Sequence, residues 1–355
     1  MTKFSDMKEK LIKMMFVAVL AGAGVADAVA DDAGQVKFRN AALDSDYVWM
    51  ATADGLVRHD KKSGEEHTFS SDRYKDLTAV AVSSEGTVYV GGAAGAGTAT
   101  FDGSSFAPLA GADMQNVSRL ICVDRLWTGA SQCLYAYDGS SWETYEGAYP
   151  MASYYQFDAL AFDGATGTLW FGVDTNVAGG RLGYVSTGGT LSYVADFTEN
   201  VYDMCCTGEG TLLLATESGM FRCDNGVVSF LEHPISALPR KCTAVAAADG
   251  NVWFAGGNTL VSGTGNAYRS FRCDTGFDSD YITTILPDGD TVWVTLAYGG
   301  LYRFDGETFE QAAGVGAITS DPEDGDPRTY GLDGIEIREP RKGTVYIRNG
   351  KKVIF

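Results

Sequence analysis

The side chains that could do chemistry here sit in loops and turns rather than in a compact motif. The most unusual stretch runs from Tyr145 to Phe157 and contains Tyr149, Tyr154 and Tyr155. An exposed tyrosine offers an apolar plane with a polar tip, which suits a sugar ring or a peptide side chain. The turn from Asp174 to Arg181, with Asn176 and Arg181, and the Gly91 to Gly97 turn are expected nearby. Tyr149, Tyr154, Tyr155, Asn176 and Arg181 therefore form the candidate ligand-binding set. The plain alternative is that the tyrosines cover a packing seam.

Acidic turns are the second resource. Asp44 with Asp46, and Asp288 with Asp290, could hold a divalent cation such as Ca²⁺, which takes carboxylate oxygens. Asp-Gly is also a preferred tight-turn dipeptide, and Asp102, Asp138 and Asp305 each precede a glycine. No D-x-D-x-D-G loop is present, so turn chemistry is the favoured reading and no cofactor is expected. His59, His67 and His233 show no metal-ligand spacing, and neither a G-x-S-x-G elbow nor a phosphate-binding P-loop occurs. No catalytic residue can be assigned. Seven cysteines leave at least one unpaired; Cys205 or Cys206 with Cys223 is the candidate bridge, and burial as free thiols is the alternative.

The elements that carry these loops repeat. Trp49, Tyr89, Trp127, Trp170, Leu213, Trp253 and Trp293 fall in register at spacings of 40, 38, 43, 43, 40 and 40 residues. Each unit reads as an apolar strand such as Leu77 to Val82, then an aromatic-centred strand, then a strand such as Gly55 to Asp60 or Gly219 to Asp224. A short outer strand such as Glu66 to Phe69 or Val227 to Phe230 ends it. A strand pattern with a period near forty predicts an all-β, seven-bladed propeller of four-stranded antiparallel blades. The tryptophans are expected to pack one blade on the next and not to serve as sugar platforms. Strand 35–40 is a candidate to pair with the last blade and close the ring. Turns between strands one and two share a face with those between three and four, which gathers acid there; the candidate ligand loops fall on the opposite face.

The repeat, best seen in Trp49 to Asp60, Trp127 to Asp138 and Trp293 to Asp305, resembles the two-component-regulator propeller repeat of bacterial sensor regions and stand-alone secreted proteins. The resemblance covers roughly residues 36–312 and implies blades built by repeat residues with ligands read by variable loops.

Outside the blades the composition changes. Lys8, Lys10 and Lys13 precede the apolar run Met14 to Val25 and the small-residue end Ala28-Val29-Ala30, the pattern of a signal peptide over residues 1–30. A Gly-, Asp- and Pro-rich linker is expected at 313–329 after a propeller at 31–312. In the tail, 330–355, Arg338, Arg341, Lys342, Arg348, Lys351 and Lys352 outnumber Asp333, Glu336 and Glu339, and Asn349-Gly350 predicts a hairpin. Tyr330, Leu332, Gly334, Pro340, Lys342, Gly343, Tyr346, Ile347, Asn349, Gly350, Lys351, Lys352 and Val353 resemble the C-terminal sorting signal of Bacteroidetes type IX secretion substrates. That resemblance implies the secretion machinery as a partner.

A formal charge of −19 argues against nucleic acid as a partner. No membrane span is expected in the mature chain. The expected protein is exported, to the cell surface or medium or otherwise the periplasm. It is read as a binding module for a glycan or a peptide or protein ligand. The alternatives are a polysaccharide lyase or hydrolase on the same face, and a structural envelope protein.

Overall fold

The structure is a computed structural model. It describes residues 38–313 except 94, 112–113, 115, 131–132, 147–155, 175–178, 208–209, 232–239, 266 and 276–279, together with 329–330, 345–348 and 351–354. Seven four-stranded antiparallel sheets follow one another along the chain, each with its strands in sequence order from the channel outward. Blade 1 comprises Phe38–Leu43, Tyr47–Thr52, Gly55–Asp60 and Glu66–Phe69, and blade 7 ends with Phe309–Ala313. The expected seven-bladed propeller is what the chain forms. No helix among the described residues is long and apolar enough to cross a membrane.

The turns explain the sequence pattern. Asp102, Asp138 and Asp305 each accept the backbone N–H groups two and three residues on, at 2.8–2.9 Å. The following Gly103, Gly139 and Gly306 take φ of 97°, 98° and 98°, a region that glycine enters without steric cost. These bonds hold the three carboxyls below the usual carboxylate range.

Packing between blades follows one rule. The aromatic of the second strand meets a residue on the third strand of the next blade. Trp49 lies 5.9 Å from Phe101, and Trp293 lies 5.6 Å from His59 across the seam that closes the ring. Trp253 shares a cluster with Phe304, and Trp127 shares one with Val185. The tryptophans thus form seams, as expected.

Ring closure uses the bond found at other seams. Phe38 N–H donates to Ala297 O at 3.1 Å, as Val117 does to Gly92 and Cys242 to Thr216. The first described strand pairs with Tyr47–Thr52 of its own blade, so among the described residues no N-terminal strand is exchanged into blade 7. That corrects the expectation for residues 38–40 of strand 35–40; residues 35–37 lie outside the described residues. All seven cysteines are free, which overturns the proposed bridge. Cys206, Leu212 and Cys223 form one row across three strands, so the two thiol-bearing residues stand about 9–10 Å apart, two strand spacings. A disulfide cannot span that distance.

In the C-terminal unit, Val345–Arg348 pairs antiparallel with Lys351–Ile354, with Arg348 opposite Lys351; Asn349 and Gly350 lie outside the described residues. Thr329–Tyr330 adds a third strand that sequence reasoning did not foresee.

Candidate functional site at the channel mouth

Close approach of neighbouring blades begins at glycine. A Cβ on Gly91, Gly129 or Gly172, in the second strands of blades 2, 3 and 4, would lie 2.3, 2.7 and 2.7 Å from side-chain atoms of Val117, Phe157 and Val201. Without that atom, the innermost strand of the next blade can settle against the sheet. There the innermost strands are irregular: Arg39, Thr78, Asp158, Tyr202 and Thr283 are each skipped in the register with the second strand. Ser118 and Thr243 hold the matching position in blades 3 and 6, immediately before the paired residues Arg119 and Ala244. An unpaired residue of this kind re-aims its side chain, here at one end of the channel.

At most of these positions the side chain is a donor that ties one blade to the next. Ser118 Oγ donates to Phe157 O at 2.5 Å, Thr243 Oγ1 to Ile282 O at 2.7 Å, Arg39 to Leu77 O at 3.3 Å, and Thr78 to Val117 O. Thr283 of blade 7 donates within its own blade, to Thr295 O at 3.2 Å, and blades 4 and 5 carry Asp158 and Tyr202 there. Arg119, from blade 3, reaches past blade 4 to donate to Tyr202 O at 3.1 Å.

The result is a polar cluster shared by blades 3 to 6. Gln156 donates to Asp158 Oδ1 at 2.7 Å, and Val245 N–H donates to Asp203 Oδ2 at 2.9 Å. Burial pushes Asp158 up to about 6, opposed by the Arg119 charge and the Gln156 hydrogen bond. Burial likewise pushes Asp203 up to about 6, against the Val245 N–H and Arg119. Tyr202 donates its hydroxyl to Glu217, and burial followed by that bond raises its pKa. Lys241 completes the group, 3.5 Å from Glu217 Oε2 and 4.3 Å from the centre of the Tyr202 ring. Acid, base, guanidinium, ammonium and an aromatic ring thus converge at the end of the channel where the connections into each blade arrive. Such a cluster can hold a polar ligand from several directions, and Asp158 can exchange a proton near neutral pH.

Of the residues picked out from the sequence, Arg181 lies half-buried at the start of the third strand of blade 4 and donates to Gly180 O at 2.8 Å. Tyr149, Tyr154, Tyr155 and Asn176 lie outside the described residues. Gln156 and Asp174 border their loops, so the cluster lies on the face those loops serve. Three of the four acids considered for a cation, Asp44, Asp46 and Asp288, have other partners. Asp44 accepts the Trp49 indole N–H at 2.8 Å; Asp288 accepts that of Trp293 at 3.1 Å and pairs with Lys61 at 2.8 Å. No group of metal-ligating side chains is found among the described residues.

The chain matches no protein-family model and no curated protein. Solved structures do resemble it. Virginiamycin B lyase from Staphylococcus aureus superposes with a TM-score of 0.60 at 14% identity, covering 75% of this chain and 93% of the lyase. The extracellular domain of a hybrid two component system from B. thetaiotaomicron gives 0.63 at 13% identity over 77% of this chain, which spans only 39% of that protein. YCF48 bound to D1 peptide gives 0.57 at 16% identity, covering 76% and 93%. Likeness at these identities is one of fold. That fold is the β-propeller.

Proposed function

We propose that this chain is an exported propeller that binds a glycan or peptide ligand across the channel mouth formed by blades 3 to 6. The observation that carries this reading is the break in the repeat: Asp158 and Tyr202 stand where blades 1, 2, 3 and 6 place a donor that ties the ring, and Arg119 crosses to bond Tyr202 O. Tyr149, Tyr154, Tyr155 and Asn176 contribute from the adjoining loops, and Arg181 from the strand that follows. Propeller neighbours lend support, one of them a structure with a bound peptide. In the same reading, residues 1–30 direct export and 330–355 serve as an address for secretion machinery.

The test is thermal unfolding of the full chain against glycans and peptides. A ligand at a hundred times its dissociation constant adds about 2.7 kcal/mol and raises the midpoint by several degrees. The shift is expected to disappear in Tyr202→Ala and Arg119→Ala. No shift across the panel would instead support a structural envelope protein. A lyase or hydrolase on this face is favoured by one observation, the proton that Asp158 can exchange near pH 6. In that case Asp158→Asn would keep the shift and abolish a mass change in the substrate.

A further inference from the structure

The seams differ in how they are filled toward the opposite face. Opposite the residue just before the second-strand aromatic, the third strands carry His59, Phe101, Tyr137, Val185, Cys223, Gly263 and Phe304 in blades 1 to 7. Rings at four of these positions fill the seam with the preceding blade. Gly263 is covered by Tyr268, whose Cδ1 would lie 2.1 Å from a Cβ there, and Cys223 packs in a cluster with Trp170 and Phe221. Val185 carries no ring, although it is itself buried in a cluster with Trp127 and Tyr145. A cavity of about 250 Å³ lies there, between blades 3 and 4, lined by Asp124, Arg125, Trp127, Glu143, Tyr145 and the Val185–Gly189 segment.

Its lining limits what can enter. Arg125 lies 5.2 Å over the Trp127 ring and pairs with both Asp124 and Glu143 at 3.3 Å. An anion would face two carboxylates, and a cation would have to displace a guanidinium that already holds both. An apolar ring would strand the polar groups without partners. An uncharged ring carrying several hydroxyls both donates to the carboxylates and accepts from Arg125, while its C–H faces meet the Trp127 and Tyr145 edges. The volume is below the roughly 300–1,000 Å³ of drug-sized sites and suits a single ring.

We propose that the blade 3–4 seam is a subsite for one uncharged sugar residue of a glycan. It stands apart from the channel-mouth reading, because it lies on the other face and shares no residue with that cluster.

The test is saturation-transfer NMR of the full chain with methyl glycosides of neutral hexoses and N-acetylhexosamines, and with uronic acids and methylamine as charged controls. Transfer to one or more uncharged glycosides is expected. It should weaken at least tenfold in Val185→Phe, which places in the lining the ring that blades 2 and 7 carry. Glu143→Gln should also weaken it, and Tyr202→Ala should leave it unchanged. Absence of transfer to every uncharged glycoside, transfer confined to the charged probes, or persistence in Val185→Phe would each overturn the proposal. Loss in Tyr202→Ala would move the bound sugar to the channel mouth and overturn it equally.

Discussion

Asp203 and Asn40 occupy the same place in blades 5 and 1. Asn40 Oδ1 accepts Val80 N–H at 3.0 Å, and Asp203 Oδ2 accepts Val245 N–H at 2.9 Å, each from the innermost strand of the next blade. Asparagine can therefore make the bond without carrying a charge. Burial holds the Asp203 carboxyl at about 6, against an unfolded value of about 3.9. Since its folded pKa is the higher, the folded state binds more protons between those values. Stability is then fully retained below about pH 4 and declines as pH rises to about 6. A shift of roughly two units corresponds to at most about 3 kcal/mol. Asp203→Asn should accordingly stabilise the protein at pH 8 by up to about 3 kcal/mol, or roughly 6 °C in midpoint. The gain should shrink between pH 6 and 4 and vanish below that. Thermal unfolding of both proteins by circular dichroism, in half-unit steps from pH 4 to 8, measures it. A difference independent of pH, or a less stable variant at pH 8, would refute the reasoning, because it would mean that Arg119 compensates the charge in full.

Gly91→Ala should cost about 1–3 kcal/mol in chemical denaturation, since the added carbon falls 2.3 Å from Val117 Cγ1. Phe171→Ala, which empties a fully buried ring site, should cost about 3–5 kcal/mol by the same assay. Burial raises the pKa of Cys223, Cys242 and Cys273, so iodoacetamide should spare these three in the native protein and label all seven cysteines in urea by intact mass. A disulfide-linked peptide in a non-reducing digest would contradict the free-thiol structure.

The blades were legible because each repeat states its register several times over. Gly55–Asp60, Leu77–Val82, Gly219–Asp224 and Val227–Phe230 fall where their patterns place them. In blade 3 the innermost strand, Arg119–Cys122, begins one residue before its apolar run. Arg119 reads as a loop residue by polarity yet sits in the ladder, with its side chain turned toward the channel. The channel-mouth cluster was missed for the same reason. Asp158, Tyr202 and Asp203 lie inside strands whose neighbours are core residues, so local pattern assigns them to packing. The signal that could have found them is the column Arg39, Thr78, Ser118, Asp158, Tyr202, Thr243 and Thr283, which recurs at about the blade period. A polar residue at a fixed place in every innermost strand points to the channel, and the two members that are neither basic nor aliphatic hydroxyl mark the exception.

Repetition makes those exceptions informative, because the other blades serve as controls within one molecule. Asn40 shows that the Asp203 position can be filled without burying a charge, and Thr78, Ser118 and Thr243 show that the Asp158 position can tie the ring instead of straining it. Both carboxyls are nonetheless held near 6 by burial, and both lower stability at neutral pH. Two adjacent blades that forgo a stabilising choice available elsewhere in the same fold are poor candidates for a packing role. Departures from local consistency concentrate where a protein meets its ligand. That physical cost, localised to one end of one channel, supports the proposal that a ligand binds there.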